Sequence, residues 1–237
     1  MPHPQKVAVV TGASQGLGAG IAQAYRARGW GVVATSCSIV ATDDPDLLAV
    51  PGDIGDPATG ERVIAAALER FGRVDTLVNN AGIFIGKPVV DHTADDYRRM
   101  VATNLDGFFF ITQAAVRAMQ ARREGGHVVQ ITTTLAEFAD SRIPSVLAAM
   151  TKGGLNAATR SLAIELAGEN IRVNAVSPGV VRTPLHDGED YAALATLHPL
   201  QRVGEVDDVV RAVLYLEEAP FVTGEILHVD GGWTAGR

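Results

Sequence analysis

The 237-residue chain is 47% apolar and 20% charged, a balance that supports a folded unit with a sizeable core and excludes a disordered one. Its formal charge of −7 argues against nucleic acid or an anionic membrane surface as the main partner. The single cysteine, Cys37, excludes an internal disulfide framework and any cysteine metal cluster.

Met1 to Lys6 lead straight into an apolar run without a secretory leader, and no stretch approaches the roughly 18 apolar residues of a membrane span, so a cytoplasmic protein is expected. The run at 6–10, KVAVV, reads as a strand buried on both faces. It breaks into a loop with Gly12, Gly16 and Gly18, and a helical pattern follows over 17–28. A strand that ends in such a loop and opens a helix aims bare backbone N–H groups and a helix N-terminus at one point, which suits a phosphate or pyrophosphate. Strands are then predicted at 31–35, 47–50, 75–79, 127–132, 171–176 and 225–229, separated by helices near 58–71, 94–121, 145–167 and 205–217. This alternation predicts an α/β fold, a Rossmann-like doubly wound, seven-stranded parallel sheet with helices on both faces. No linker rich in Pro, Gly and Ser divides the chain, so 1–237 is expected to form a single domain. The poorly patterned stretch 182–204 carries Pro184, His186, Gly188 and Pro199 around a short possible helix. Ligands in open α/β sheets sit beyond the carboxyl ends of the strands, which makes this stretch, after the sixth strand, a candidate substrate lid.

Further pieces fall at the same ends of the strands. Asn79-Asn80-Ala81-Gly82 follows the strand Thr76-Leu77-Val78, Asn104 lies inside the long helix in VATNLDGFFF, and Pro178-Gly179 ends the sixth strand with Thr183 shortly after. The chain closes with VTGEILHVDGG. Together with Thr11-Gly12-xxx-Gly16-x-Gly18, this order and spacing resembles the short-chain dehydrogenase/reductase family, of its classical type, over essentially the whole chain. The resemblance implies a dinucleotide-binding domain for NADP(H) or NAD(H), a small or medium carbonyl/alcohol substrate, and a homotetramer or homodimer. It also implies that Gly12, Ser14, Gly16, Leu17 and Gly18 line the pyrophosphate. By the same resemblance Asp53 would accept from the adenine amino group with Ile54 beside the ring, Asn80, Ala81 and Gly82 would run along the adenosine ribose, and Pro178, Gly179, Val181 and Thr183 would meet the nicotinamide end.

An acidic residue closing the second strand would bind the adenosine 2′-hydroxyl and select NAD. Ser36 stands there instead, and Gln15 and Cys37 occupy places where relatives preferring NADP often carry a basic residue. The hydroxyls of Thr35, Ser36 and Ser38 can bond a 2′-phosphate and nothing repels it, which tilts the expectation to NADP(H).

The family's chemistry rests on a tyrosine four residues before a lysine on one helix face, with a serine at the preceding strand end. Lys152 is present in AAMTKGGLNAATRSLAIELA, but Ala148 stands four residues before it. The chain's tyrosines are Tyr25, Tyr97, Tyr191 and Tyr215, and the longer spacing of the enoyl reductase branch leads only to Ser145. Thr133, in VVQITTT, aligns with the serine, so the resemblance implies Lys152, Thr133 and Asn104 as the catalytic set, with Asn104 supporting a water chain to Lys152. A water held by Lys152 and Thr133, or Tyr191 or His186 from the lid, are the candidate proton donors. The competing reading is a non-catalytic nucleotide-binding protein, a sensor or assembly partner. The six histidines show no ligand spacing for a metal. Ala148, Ala149, Gly153, Gly154, Ala157 and Ala158 give the same helix a smooth surface suited to close contact with the sheet or a second subunit.

Overall fold

The computed structural model describes residues 6–236. Seven parallel strands lie in the order β3-β2-β1-β4-β5-β6-β7: β1 (Val7–Thr11), β2 (Gly31–Ser36), β3 (Leu47–Pro51), β4 (Thr76–Asn79), β5 (Gly126–Ile131), β6 (Ile171–Pro178) and β7 (Ile226–Val229). Each begins and ends within two residues of its predicted bounds. Strand β1 sits at the topological switch, pairing Val9 with Val33 of β2 on one side and with Leu77 of β4 on the other. The two chain crossings diverge there, which opens a crevice above the carboxyl ends of β1 and β4.

Alternation along each strand divides the core. Ala8 and Val10 face the layer of α1 (Gly16–Ala27) and α7 (Val206–Glu218), where Ile21, Tyr25, Val209 and Val213 are buried. Val7 and Val9 face α2 (Pro57–Phe71), α4 (Gly107–Arg122) and α5 (Val146–Leu166) through Val63, Ile111 and Ala163. Strands buried on both faces need near-continuous apolar sequence, which is why VAVV and GVVA were readable as strands. Helix α2 starts where Asp56 accepts from the Ala58 N–H with Pro57 beside it, and ends at Gly72 in the left-handed conformation.

The predicted helix 94–121 is continuous but not uniform. It begins as α3 (Ala94–Val101) behind a Thr93–Asp96 capping box, widens to a π turn over Ala102–Asp106, and resumes as α4. The widened turn presents Asn104 sideways to the loop after β4. Segment 182–204 leaves and rejoins the fold at a short parallel bridge between Val181 and Gly204, and holds one short helix, α6 (Tyr191–Ala195). Among the described residues no helix is long and apolar enough to cross a membrane.

Candidate active site

One cleft of about 1160 Å³ runs over the carboxyl ends of the strands. At one end stand Gly12, Ser14, Gln15, Gly16 and Leu17, with Ser36, Asp53 and Ile54; at the other stand Thr133, Ala148, Lys152, Pro178, Gly179, Val181 and Thr183. Asn80, Ala81 and Gly82 form the floor between them. Gly18 and Asn104 lie behind the wall and act on it from there.

The loop after β1 depends on glycine for two separate reasons. Gly12 and Gly16 have φ of +64° and +55°, the left-handed region. Gly18 is needed for closeness, since a Cβ there would lie 2.3 Å from the Gly12 carbonyl oxygen. The Asn80 amide donates to the carbonyls of Thr11 (2.9 Å) and Gly12 (3.2 Å), so it is committed to holding this loop. Thr11 completes the clamp: its hydroxyl oxygen accepts from the N–H groups of Asn80 (3.0 Å) and Ala81 (2.9 Å). That role was missed in the sequence, where the only signal is a hydroxyl at the last position of a valine-rich strand.

Beyond β2, Ser38 donates its backbone N–H to the Ser36 hydroxyl (3.3 Å) and its own hydroxyl to that of Ser14 (3.1 Å). The Thr35 hydroxyl is buried without a partner, and Cys37 is exposed. Asp53 accepts from the Gly55 N–H (2.9 Å), which fixes the turn, and Ile54 packs on Gly107. A bare-backbone loop at a helix start, a patch of hydroxyls and an orphaned Thr35 oxygen fit a phosphorylated dinucleotide laid across this end.

At the other end Lys152 projects from α5 and donates to the Ile131 carbonyl at the end of β5 (2.8 Å). Among the described residues it has no carboxylate partner, and burial pushes its pKa down from 10.5 to about 8. Gly82 lets the ammonium come close, for a Cβ there would lie 2.9 Å from Nζ and 3.2 Å from Asn104 Oδ1. The Asn104 side chain is spent on structure: it accepts from Ile83 N–H (2.9 Å) and donates to Ile83 carbonyl (3.1 Å) and the Thr151 hydroxyl (3.1 Å). Of the three consecutive threonines, Thr132 and Thr134 donate to the carbonyls of Val176 and Pro178. The Thr133 hydroxyl accepts from Leu135 N–H (3.3 Å), which leaves its proton free to donate into the cleft.

Ala148 lies one turn before Lys152 on the same helix face, packed with Met100, Leu147, Ile83 and Ile85. Leu135, Ile143, Leu194 and Trp233 wall the chamber around it, and no tyrosine lines the cleft. Tyr191 is turned to a separate groove of about 700 Å³ on the outer side of the lid. There its ring carries the Arg182 guanidinium at 4.1 Å and its hydroxyl reaches the Thr183 carbonyl (3.5 Å). His186 does line the cleft, with Nδ1 3.2 Å from Glu189.

The family model for enoyl-(acyl carrier protein) reductase matches residues 12–234. The chain is 36% identical over 244 residues to the 3-oxoacyl-(acyl-carrier-protein) reductase of Salmonella typhimurium, covering 98% of each chain. The chain belongs to the short-chain dehydrogenase/reductase family. Another relative is the NADP-dependent (R)-specific alcohol dehydrogenase of Lentilactobacillus kefiri, 33% identical with 97% of each chain covered. The solved structure of ElxO with NADP bound superimposes with a TM-score of 0.91 at 26% identity, over 98% of this chain and all of that one. Within the short-chain dehydrogenase/reductase family the glycine loop, the Asn80 clamp and the buried Lys152 of this chain thus form one continuous cleft.

Proposed function

We propose that the protein is a cytoplasmic, NAD(P)(H)-dependent oxidoreductase that interconverts a carbonyl and an alcohol on a small or medium substrate. NADP(H) is the favoured cofactor, and water carries the proton in place of the family's tyrosine. The observation that carries this reading is that Lys152, Thr133 and Ala148 line the same cleft as the glycine loop.

The bound nicotinamide supplies or accepts the hydride. Backbone N–H groups of the loop from Gly12 to Leu17 hold the pyrophosphate, with Gly18 bringing the helix N-terminus close. Ser36 and its neighbouring hydroxyls receive the adenosine 2′-phosphate, since a serine rather than a carboxylate closes β2. Asp53 and Ile54 border the adenine, Asn80, Ala81 and Gly82 the ribose, and Pro178, Gly179, Val181 and Thr183 the nicotinamide. Thr133 donates its free proton to the substrate oxygen. Lys152, anchored on Ile131, orients the nicotinamide ribose and polarises a water in the space that Ala148 leaves. In carbonyl reduction the oxygen takes a proton from that water, and the water regains it from the ammonium. A lysine pKa near 8 suits such exchange near neutral pH. Asn104 holds Ile83, and with it the floor against which the ammonium rests.

The leucine, isoleucine and tryptophan walls favour a substrate with an apolar body and one polar end. The reading includes a homodimer or homotetramer: Phe109 on α4 and Met150 and Ile164 on α5 are exposed large apolar residues on adjoining helices.

The test is a fluorescence titration with NADPH and NADH, followed by cofactor oxidation with a broad set of aldehydes, ketones and quinones. Tighter binding of NADPH and turnover on an apolar carbonyl are expected. Tight binding with no turnover on any of them would overturn the enzymatic reading in favour of a nucleotide-binding protein. Ala148→Tyr probes the water directly: a raised rate shows that the chamber accepts a phenol as donor, and a lost one that the water's place is in use.

A further inference from the structure

His198 lies on the returning arm of the lid, behind the cleft rather than in its lining, and it is 2% exposed. The fold is shaped around its imidazole. A Cβ at Gly179 would stand 2.6 Å from Nε2, and one at Gly231 3.1 Å from the histidine Cβ, so both glycines keep the space clear. Trp233 meets the ring edge-on at 5.2 Å. Both ring nitrogens are bonded. Nδ1 lies 3.2 Å from the Leu194 carbonyl, which can only accept, so Nδ1 carries the proton. Nε2 is then the acceptor, 3.1 Å from the backbone N–H of Val180.

Val180 sits between Gly179 and Val181, in the segment that the proposed function places against the nicotinamide. We infer that His198 is a positioning residue, a pin that joins the lid to the nicotinamide-end loop only while its ring is neutral. Protonation would put an N–H on Nε2 against the N–H of Val180. The buried Val180 donor would lose its acceptor, and the loop and lid would be free to part.

Burial favours the neutral ring and holds its pKa below the usual 6.5. The groups facing it divide: the carbonyls of Leu194 and Ala195 and the Asp230 carboxylate favour the charged ring, and Arg202 opposes it. Asp230 is occupied by the N–H groups of Gly232 and Thr234 and by the Thr234 hydroxyl. With a lowered pKa in the closed form, the pin is complete above about pH 6.5 and is lost as the pH falls through the lowered value.

The inference rests on the proposed cofactor, and the test separates the two. The Val180 amide proton and the His198 ring are followed by NMR from pH 7.5 downward through the ring's titration, without cofactor, and NADP+ binding is measured by calorimetry at pH 7.5 and at the pH where the ring has become charged. The Val180 shift is expected to titrate together with the ring, and the dissociation constant to rise about tenfold at the lower pH, the worth of one such bond. In His198→Gln an amide oxygen takes the Val180 N–H and cannot titrate. This variant is expected to bind like the parent at pH 7.5 and to show only the change caused by the cofactor's own phosphate at the lower pH. His198→Leu is expected to bind about tenfold more weakly at both. A Val180 amide indifferent to the ring's protonation, or an equal rise in His198→Gln and the parent, overturns the pin. If NADP+ binds at no pH, the proposed function falls and the amide titration still decides the pin.

Discussion

At the adenosine and pyrophosphate end, the cleft is made of backbone and small side chains from the loops that follow β1, β2 and β3. At the nicotinamide end it is made of side chains from separate elements, Lys152 from α5 and Thr133 beyond β5, with His198 of the lid bonded to Val180 behind the lining. Two residues, Gly12 and Gly82, mark the contrast. The first is set by a local turn with φ of +64°, the second by the approach of an ammonium seventy residues further along the chain. An end built from backbone can hold a ligand common to many enzymes, and an end built from side chains can change its chemistry by one substitution. Ala148 is such a substitution in the reading proposed here.

The largest expected effect tests the backbone end. A Cβ at position 18 meets the Gly12 carbonyl oxygen at 2.3 Å and Asn80 Nδ2 at 2.5 Å, and the Asn80 amide is itself bonded to that carbonyl. Neither neighbour can yield without opening the loop. Gly18→Val should therefore weaken NADPH binding at least about a hundredfold, measured by calorimetry, with circular dichroism to verify the fold. Binding within about threefold of the parent would show that the loop is not the cradle.

At the side-chain end, Lys152→Ala should keep much of the cofactor affinity and lower kcat/KM by about two to four orders of magnitude. The pH dependence has a definite sign. The chemistry uses the ammonium, and the ammonium is lost above about pH 8, so kcat/KM for carbonyl reduction should fall as the pH rises through that value. Linkage runs the other way for stability. Between about pH 8 and the ordinary lysine value of 10.5 the unfolded chain binds more protons at this position, so its contribution to stability increases with pH. A rate constant through pH 9 would break the assignment.

Cofactor preference comes next in size. Ser36→Asp places a carboxylate where the 2′-phosphate is expected, which should weaken NADPH by about tenfold or more and favour NADH. If NADPH affinity is unchanged, the phosphate does not lie against Ser36, and the preference for NADP(H) has no basis in this hydroxyl patch.

The same contrast explains what could be read from the sequence. Strands β1 and β2 announce themselves because doubly covered strands need unbroken apolar runs, and the glycine loop because left-handed turns need glycine. Lys152 was legible through its helix, and Ala148 through the spacing. The use of Thr11 as a double acceptor was hidden, since it depends on the register that sets β1 beside β4. The widened turn at Ala102–Asp106 was hidden too, because helical periodicity continues through it while the bonds of Asn104 to Ile83 and Thr151 are long-range. His198 is the clearest case: Gly179 reads as a strand end beside the nicotinamide and Gly231 only as part of the closing VDGG, and the two become a cradle only when the lid is folded over them.

The smallest effect is expected at Tyr191, the one lid tyrosine that the sequence offers as a substitute acid. Its ring lies beneath the Arg182 guanidinium on the outer groove, and Arg182 is further tied to Glu205 at 3.2 Å. Bringing the phenol to the chamber would require breaking that stack and the bond to Thr183 at the same time. Tyr191→Phe keeps the ring beneath Arg182 and removes only the hydroxyl, so kcat and KM should stay within about twofold of the parent. A loss of two orders of magnitude in kcat would instead identify Tyr191 as the acid. The lid would then have to turn inward during catalysis, and the side-chain end of the cleft would draw its proton from a side chain that this structure places in the outer groove.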